Sequence, residues 1–136
     1  MKIGFTGTRK GMTINQRKHF FKYISSLEVV ELHHGDCIGA DEDAHRLTLK
    51  LKNSTFKEVK IIIHPPTDMK NRAWRYGSDK RKSPKPYLER NKDIVNETDL
   101  LIACPKSDKE ELRSGTWATI RYAKKAGKKV IIIFPN

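Results

Sequence analysis

The sequence predicts an α/β fold: a Rossmann-like open parallel sheet of about five strands with helices on both faces, built as a single domain from residues 1–136. Three observations predict it. Short apolar runs recur along the chain, and most are separated by longer stretches of helical periodicity, the pattern of a parallel sheet with crossover helices. A chain of 136 residues, 37% of them hydrophobic, is long enough to bury a core without disulfides or a structural metal. No internal repeat or low-complexity tract interrupts the pattern.

Taken in order, Ile3 to Phe5 is the first strand and runs into Thr6-Gly7-Thr8-Arg9. Thr13 then caps a helix that turns Phe20, Phe21, Ile24 and Leu27 toward the sheet. Val29 to Leu32 is the second strand, and Ala40 to Leu51 a helix with Ala44, Leu47 and Leu51 on one face. After the third strand, Val59 to Ile63, residues 64–85 lose any clean period and hold Pro65, Pro66, Gly77 and Pro84, which predicts a loop or lid. That segment is basic, with Lys70, Arg72, Arg75, Lys80, Arg81, Lys82 and Lys85, and interleaves Trp74 and Tyr76 as stacking surfaces. A third helix is expected from about Pro86 to Asn96, a fourth strand at Leu100 to Ala103, and a fourth helix from Ser114 to Ala126 closed by Gly127. Val130 to Phe134 completes the sheet.

A formal net charge of +12 suits a polyanionic partner: a nucleotide, nucleic acid or an acidic lipid surface. Lysine-rich solvated faces account for the same charge without any partner. Cys37 and Cys104 form no CxxC pattern, so neither a disulfide framework nor a thiolate zinc site is expected, and a reducing, cytoplasmic setting is. No apolar stretch approaches the roughly 20 residues of a spanning helix, so no membrane partner is expected. His33, His34, His45 and His64 share no HxxxH or HExxH spacing and read as hydrogen-bonded structural histidines; no metal and no cofactor is expected. Asp41 and His45, an i,i+4 pair, and Trp117 read as structural too.

The chemistry concentrates in three loops. Gly7 in Thr6-Gly7-Thr8-Arg9 lets main-chain amides approach a phosphate, although a plain strand-to-helix turn explains the stretch equally well by itself. His34-Gly35-Asp36-Cys37-Ile38-Gly39-Ala40-Asp41 holds two glycines four apart and two carboxylates; Asp41 is expected to cap the helix, whereas Asp36 is left open between ribose binding and capping. Ser114, Gly115 and Thr116 begin the fourth helix, where free N–H groups and the helix dipole favour an anion. In an open parallel sheet the first and fourth of these strands are neighbours and their crossovers diverge, so the first and third loops are expected to meet at one crevice.

Gly35-x-x-x-Gly39-x-Asp41-x-x-Ala44-His45, Arg90-Asn91 and Ser114-Gly115-Thr116-Trp117-Ala118-Thr119 resemble, in order and spacing, the Rossmann-like core of the DNA-processing protein A family. More broadly the chain resembles the SLOG superfamily, to which the Lonely Guy phosphoribohydrolases belong. The resemblance implies that Gly7, Arg9, Gly35, Gly39, Arg90, Gly115 and Thr116 line a nucleotide or phosphoribosyl site, and that the chain self-associates as a homo-oligomer. The sequence also departs from those enzymes. Aligned on Gly115-Thr116, the glutamate of their PGGxGTxxE stretch falls on Thr119, which removes a carboxylate that would stabilise a ribosyl cation.

The function expected is therefore binding of a nucleotide or NAD-derived phosphate ligand, ADP-ribose-like or a cyclic nucleotide, for sensing, sequestration or processing, with catalysis left open as a nucleoside-monophosphate or NAD-type glycosidase. The expected ligand-binding residues are Thr6, Gly7, Thr8, Arg9, Gly35, Asp36, Gly39, Arg90, Ser114, Gly115 and Thr116, with Arg90 or the 70–85 segment closing over the ligand. The alternative is an N-glycosidic phosphoribohydrolase acting on nucleoside monophosphates with a carboxylate from Glu89, Glu97 or Glu111. A second alternative is single-stranded nucleic-acid binding along the basic loop. No Ser-His-Asp arrangement or nucleophile elbow supports covalent acyl chemistry.

Overall fold

A computed structural model describes residues 1–136. Six strands form one sheet: β1 (Lys2–Gly7), β2 (Glu31–His34), β3 (Lys60–Ile63), β4 (Lys80–Arg81), β5 (Leu100–Cys104) and β6 (Lys129–Ile132). Every pairing is parallel and the order is β4-β3-β2-β1-β5-β6. Four helices make four of the five crossovers, all but that from β3 to β4: α1 (Ile14–Ser26), α2 (Ala40–Thr55), α3 (Tyr87–Asn96) and α4 (Gly115–Lys125). The chain steps outward from β1 to β4, returns to place β5 beside β1, and continues to β6. The β1/β5 junction is thus the point where the direction of winding reverses.

The apolar runs are buried residue after residue, and neighbouring side chains of a strand are buried on opposite faces of the sheet. Ile3, Phe5, Leu100, Ile102 and Cys104 pack under Phe20 and Ile24 of α1 and Ala44 and Leu51 of α2. Leu101 and Ala103 point the other way, against Val95 of α3 and Trp117, Ile120 and Ala123 of α4. Helices cover both faces, as a parallel sheet requires. Thr13 caps α1 through a reciprocal pair, its hydroxyl accepting from the Gln16 amide while the Gln16 side chain accepts from the Thr13 amide. The same buried Gln16 donates to the carbonyls of Pro105 and Ile133, tying α1 to the loops that follow β5 and β6.

Gly4 sets how closely α3 approaches. A methyl group there would lie 2.8 Å from Thr98 Oγ1 and 2.9 Å from Ile94 Cγ2, so only glycine lets α3 lie directly on β1. This contact carries the residues of α3 to the end of the sheet where β1 and β5 part.

The sixth strand is the main departure from the expected sheet. Lys80 and Arg81 are exposed and carry no apolar signature, yet they are held in register. Asp79 N–H donates to the Ile61 carbonyl at 2.8 Å, the Asp79 carboxylate accepts from the Ile61 amide at 2.8 Å, and Lys82 N–H donates to Ile63 O at 2.9 Å. The 64–85 segment is therefore partly stitched to the sheet, with a short 3-10 turn at Met69–Asn71 capped by Asp68. No helix is long and apolar enough to cross a membrane.

Candidate functional site

A cavity of about 610 Å³ opens at the carboxyl edge of the sheet, where β1 and β5 diverge. Its size falls within the range of small-molecule sites, about 300–1,000 Å³. Three groups of residues build it.

The first is the turn after β1. Thr8 N–H donates to Cys104 O at 3.0 Å, and Thr8 O accepts from Gly11 and Ala40 amides, which fixes the turn between β5 and the start of α2. The hydroxyl of Thr8 accepts from Lys10 N–H. With the amides of Thr8 and Lys10 so engaged, the turn contributes chiefly side chains to the cavity: Thr6, and the exposed Arg9 and Lys10. Gly39, at φ +98°, allows α2 to begin against this turn, because a side chain there would run into the Arg9 backbone.

The second group comes from β2 and α3. The Arg90 guanidinium is buried, donating from Nη1 to the carbonyls of Gly35 and His64 and from Nη2 toward Cys37 Sγ at 3.5 Å. It ties the ends of β2 and β3 together, and its Nε has no partner. Arg90 therefore forms a fixed cationic floor, in contrast to the movable clamp expected from sequence. Asp41 Oδ2 accepts from Cys37 N–H at 3.2 Å. Burial pushes the Asp41 carboxyl up to about 6, against the opposing pull of Arg90 and the Cys37 and Gly35 amides. Burial likewise raises the Cys37 thiol above its ordinary range. The Tyr87 ring lies 5.2 Å from the Arg9 guanidinium and 5.3 Å from that of Arg90, a flat wall at the entrance.

The third group is the start of α4. Ser114 Oγ accepts from Trp117 N–H, which leaves the amides of Gly115 and Thr116 without an acceptor in the protein. A methyl group at Gly115 would meet nothing within 4 Å, and both residues line the cavity. Lys106 and Glu111 pair at 3.4 Å on the rim, and Arg113 stands free beside them. The lining holds five cationic residues, Arg9, Lys10, Arg90, Lys106 and Arg113, against the two carboxylates Asp41 and Glu111, so the cavity favours an anion.

The structure gathers Thr6, Gly7, Thr8, Arg9, Gly35, Arg90, Ser114, Gly115 and Thr116 around this one space. Asp36 and Gly39 lie outside it. Asp36 is fully buried and faces the 64–85 segment, accepting from Arg72 Nε at 3.3 Å and from the Arg75 amide at 3.1 Å. Among the carboxylates weighed for hydrolysis, Glu111 reaches the rim, whereas Glu89 is solvent-exposed outside the cavity and Glu97 pairs with Lys82 at 3.1 Å elsewhere. Thr119 is buried and donates its hydroxyl to Gly115 O.

No residue of the 64–85 segment lines the cavity. Four of its cations are committed: Arg72 to Asp36, Arg75 to Glu42, Lys82 to Glu97 and Lys85 to Asp93. Trp74 stacks on Arg72 at 3.6 Å, and Tyr76 is exposed.

Sequence reasoning missed Asp41, Cys37, Tyr87 and Asn91 as lining residues. The structure starts α2 with Gly39 at the cap position, its amide bonded to the Glu42 carboxylate, so Asp41 is not the cap and turns into the cavity instead. A signal for the α3 wall was present, since Tyr87, Arg90, Asn91 and Ile94 follow the i, i+3, i+4, i+7 spacing of one helix face.

No family model and no curated protein sequence matches the chain. Among solved structures it is similar to the molybdenum cofactor binding protein from the phototrophic bacterium Rippkaea orientalis, with a TM-score of 0.72 and 23% identity over 99% of this chain and 77% of that one. It is similar also to TM1055, a structural-genomics target, with a TM-score of 0.64 and 12% identity over 95% of this chain and 71% of the other. At such identities the likeness shows the fold, and the protein is an α/β chain with a Rossmann-like, all-parallel open sheet.

Proposed function

We propose that the chain is a SLOG-type domain whose β1/β5 cavity binds a phosphate-bearing small molecule, a nucleotide or NAD-derived ligand such as ADP-ribose or a cyclic nucleotide. One observation carries this reading: the unpartnered amides of Gly115 and Thr116 open into a cavity whose lining has five cations and two carboxylates. A phosphate on those amides gains hydrogen bonds and the dipole of α4, while Arg9, Lys10 and Arg113 supply charge. The Tyr87 and Leu88 wall offers a surface for a planar ring. The pterin ring and phosphate of a molybdenum cofactor have the same two features, and the likeness to a protein of that description adds this ligand to the candidates.

A second reading, cleavage of an N-glycosidic bond, draws support from Asp41. This carboxyl sits on the cavity floor and takes up its proton near pH 6, as a general acid or base requires. Glu111 is the other carboxylate within reach of a ligand.

Denaturing the freshly purified protein and identifying any released molecule by mass spectrometry tests the binding proposal directly. Calorimetric titration with ADP-ribose, nucleoside 5′-monophosphates, cyclic nucleotides and a phosphorylated pterin then ranks the ligands. Release of free base on incubation supports the hydrolase, and intact ligand supports the binder. No retained molecule and no binding across the panel rejects both. Affinity that rises with oligonucleotide length and falls steeply with salt would point to single-stranded nucleic acid instead.

A further inference from the structure

On the α3 face of the sheet, away from the anion cavity, three chemistry-bearing side chains meet that the proposed function does not use. His33 lies within β2, His64 directly follows β3, and Glu97 caps the end of α3. Nδ1 of His33 and Nε2 of His64 face each other at 2.8 Å, and a Glu97 carboxylate oxygen lies within 4.8 Å of a ring nitrogen of each histidine. Both imidazoles are buried, whereas Glu97 and His33 also line a groove shared with the carboxylates Glu31 and Asp79 and the lysines Lys2, Lys60, Lys80 and Lys82.

The hydrogen bonds fix the tautomers. Glu31 Oε1 lies 2.7 Å from His33 Nε2, and a carboxylate only accepts, so His33 carries its proton on Nε2 and turns a bare lone pair on Nδ1 toward His64. An outer carboxylate that orients an imidazole in this way is the usual companion of a metal-binding histidine. His64 Nε2–H then fills the gap. A divalent ion placed there requires that proton to move to His64 Nδ1, the imidazole staying neutral, and forms two metal–nitrogen bonds of about 2.0–2.1 Å. The nitrogens separate by about half an ångström to admit it. Glu97 exchanges its ion pair with Lys82, a partly exposed side chain that can swing into solvent, for a bond to the metal.

The other buried pair shows why this one is special. His34 Nε2 and His45 Nδ1 also lie 2.8 Å apart, but His34 Nδ1 accepts from the Asp36 amide and His45 Nε2 faces the Tyr76 carbonyl at 2.6 Å. That chain is closed at both ends by the backbone, and no carboxylate accepts a hydrogen bond from either ring.

We propose that His33, His64 and Glu97 form a binding site for a divalent transition metal of the zinc class, with Glu31 orienting His33 and a fourth position open to the groove. Two imidazoles and one carboxylate are a donor set that zinc accepts in sites keeping one position open. The proposal is independent of the ligand at the β1/β5 cavity and departs from the absence of a metal expected from sequence.

Chelator-stripped full-length protein is titrated with Zn²⁺ against a chromophoric chelator, and separately with Co²⁺ followed by visible absorption. The expected result is one ion per chain and the intense Co²⁺ bands of four-coordination. Affinity is expected to fall about 10- to 100-fold in Glu31→Gln, and at least tenfold in Glu97→Gln. His64→Gln should lose the site, and the exposed control His19→Gln should keep it. Should His64→Gln not fold, Glu97→Gln decides alone, because its side chain is partly exposed and pairs only with Lys82. Stripped wild type that takes up no Zn²⁺ at micromolar concentrations, or Glu97→Gln that binds equally well, overturns the proposal and leaves a hydrogen-bonded histidine pair.

Discussion

Asp36 and Arg72 form a buried ion pair at 3.3 Å between the end of β2 and the 64–85 segment. Asp36 also accepts from the Arg75 amide, and Arg72 stacks on Trp74, so one carboxylate seats the basic segment against the sheet. Asp36→Ala leaves Arg72 buried and unpaired, a loss of about 3–5 kcal/mol for pairs of this kind. Urea denaturation should show that loss, and hydrogen exchange should quicken across residues 69–76. Affinity for an anion at the β1/β5 cavity should change little, since Asp36 does not line it. A drop in affinity as large as that of a cavity variant would show that the basic segment takes part in binding.

Gly115→Asp is the sharpest test of the α4 terminus. The new side chain enters open space, and an acidic residue in the first turn suits the helix dipole, so folding should be preserved. Its charge would occupy the place where an anion meets the Gly115 and Thr116 amides. Binding should be abolished in a calorimetric titration while the circular dichroism spectrum stays that of wild type. Unchanged affinity would remove α4 from the site.

Arg9→Ala should weaken an anionic ligand by about 1–3 kcal/mol, the worth of a charge-assisted hydrogen bond. Arg9 is exposed and has no carboxylate partner, so unfolding stability should stay within about 0.5 kcal/mol of wild type. Loss of affinity with matching loss of stability would assign Arg9 a structural role.

Asp41 gives the cavity a pH dependence. Its folded value near 6 stands above the ordinary 3.8, so the fold prefers the protonated form. The associated stability is fully present below about pH 4 and is lost as pH rises through 6, a difference on the order of 2–3 kcal/mol. Asp41→Asn should flatten that part of the profile in denaturant titrations at pH 4.5 and 7.5. For the same reason a phosphate ligand should bind wild type more tightly at pH 5 than at 7.5, and the contrast should shrink in the variant. Identical profiles for the two proteins would mean that Asp41 is already ionised at pH 5.

Gly39→Ala should cost at least about 2 kcal/mol, combining a backbone of φ +98° with a clash against Arg9. Thermal unfolding reads it, and a variant as stable as wild type would mean that the turn after β1 can move away from α2.

The sheet and helices were legible because their signals are local. Thr13 with Gln16, Ser114 before Gly115, and the alternation at Ile3–Phe5 each declare themselves within a few residues. β4 was not legible, since two exposed basic residues gain strand geometry from bonds to β3 made by their neighbours, Asp79 to Ile61, 18 positions away, and Lys82 to Ile63. The histidines do make the hydrogen bonds expected of them, but their pairing was not legible, for the same reason: His33 meets His64 across 31 residues, a distance no short motif encodes. Arg90 was identified as cavity-lining material, but its commitment to two backbone carbonyls depends on the neighbouring ends of β2 and β3. Asp41 was mistaken for a cap because its type suits one, whereas the helix begins at Ala40 as expected and the conformation of Gly39 makes that glycine the cap.

The amides at the start of α4 belong to the main chain, so residue replacements that respect the helix leave them in place. A lineage carrying this domain could exchange Tyr87, Leu88 or Asn91 freely and acquire new molecular preferences without rebuilding the anchor. Descendants would then share a handle and differ in what hangs from it, so diversification should be recorded along the exposed wall of α3 and hardly at all in the turn that begins α4.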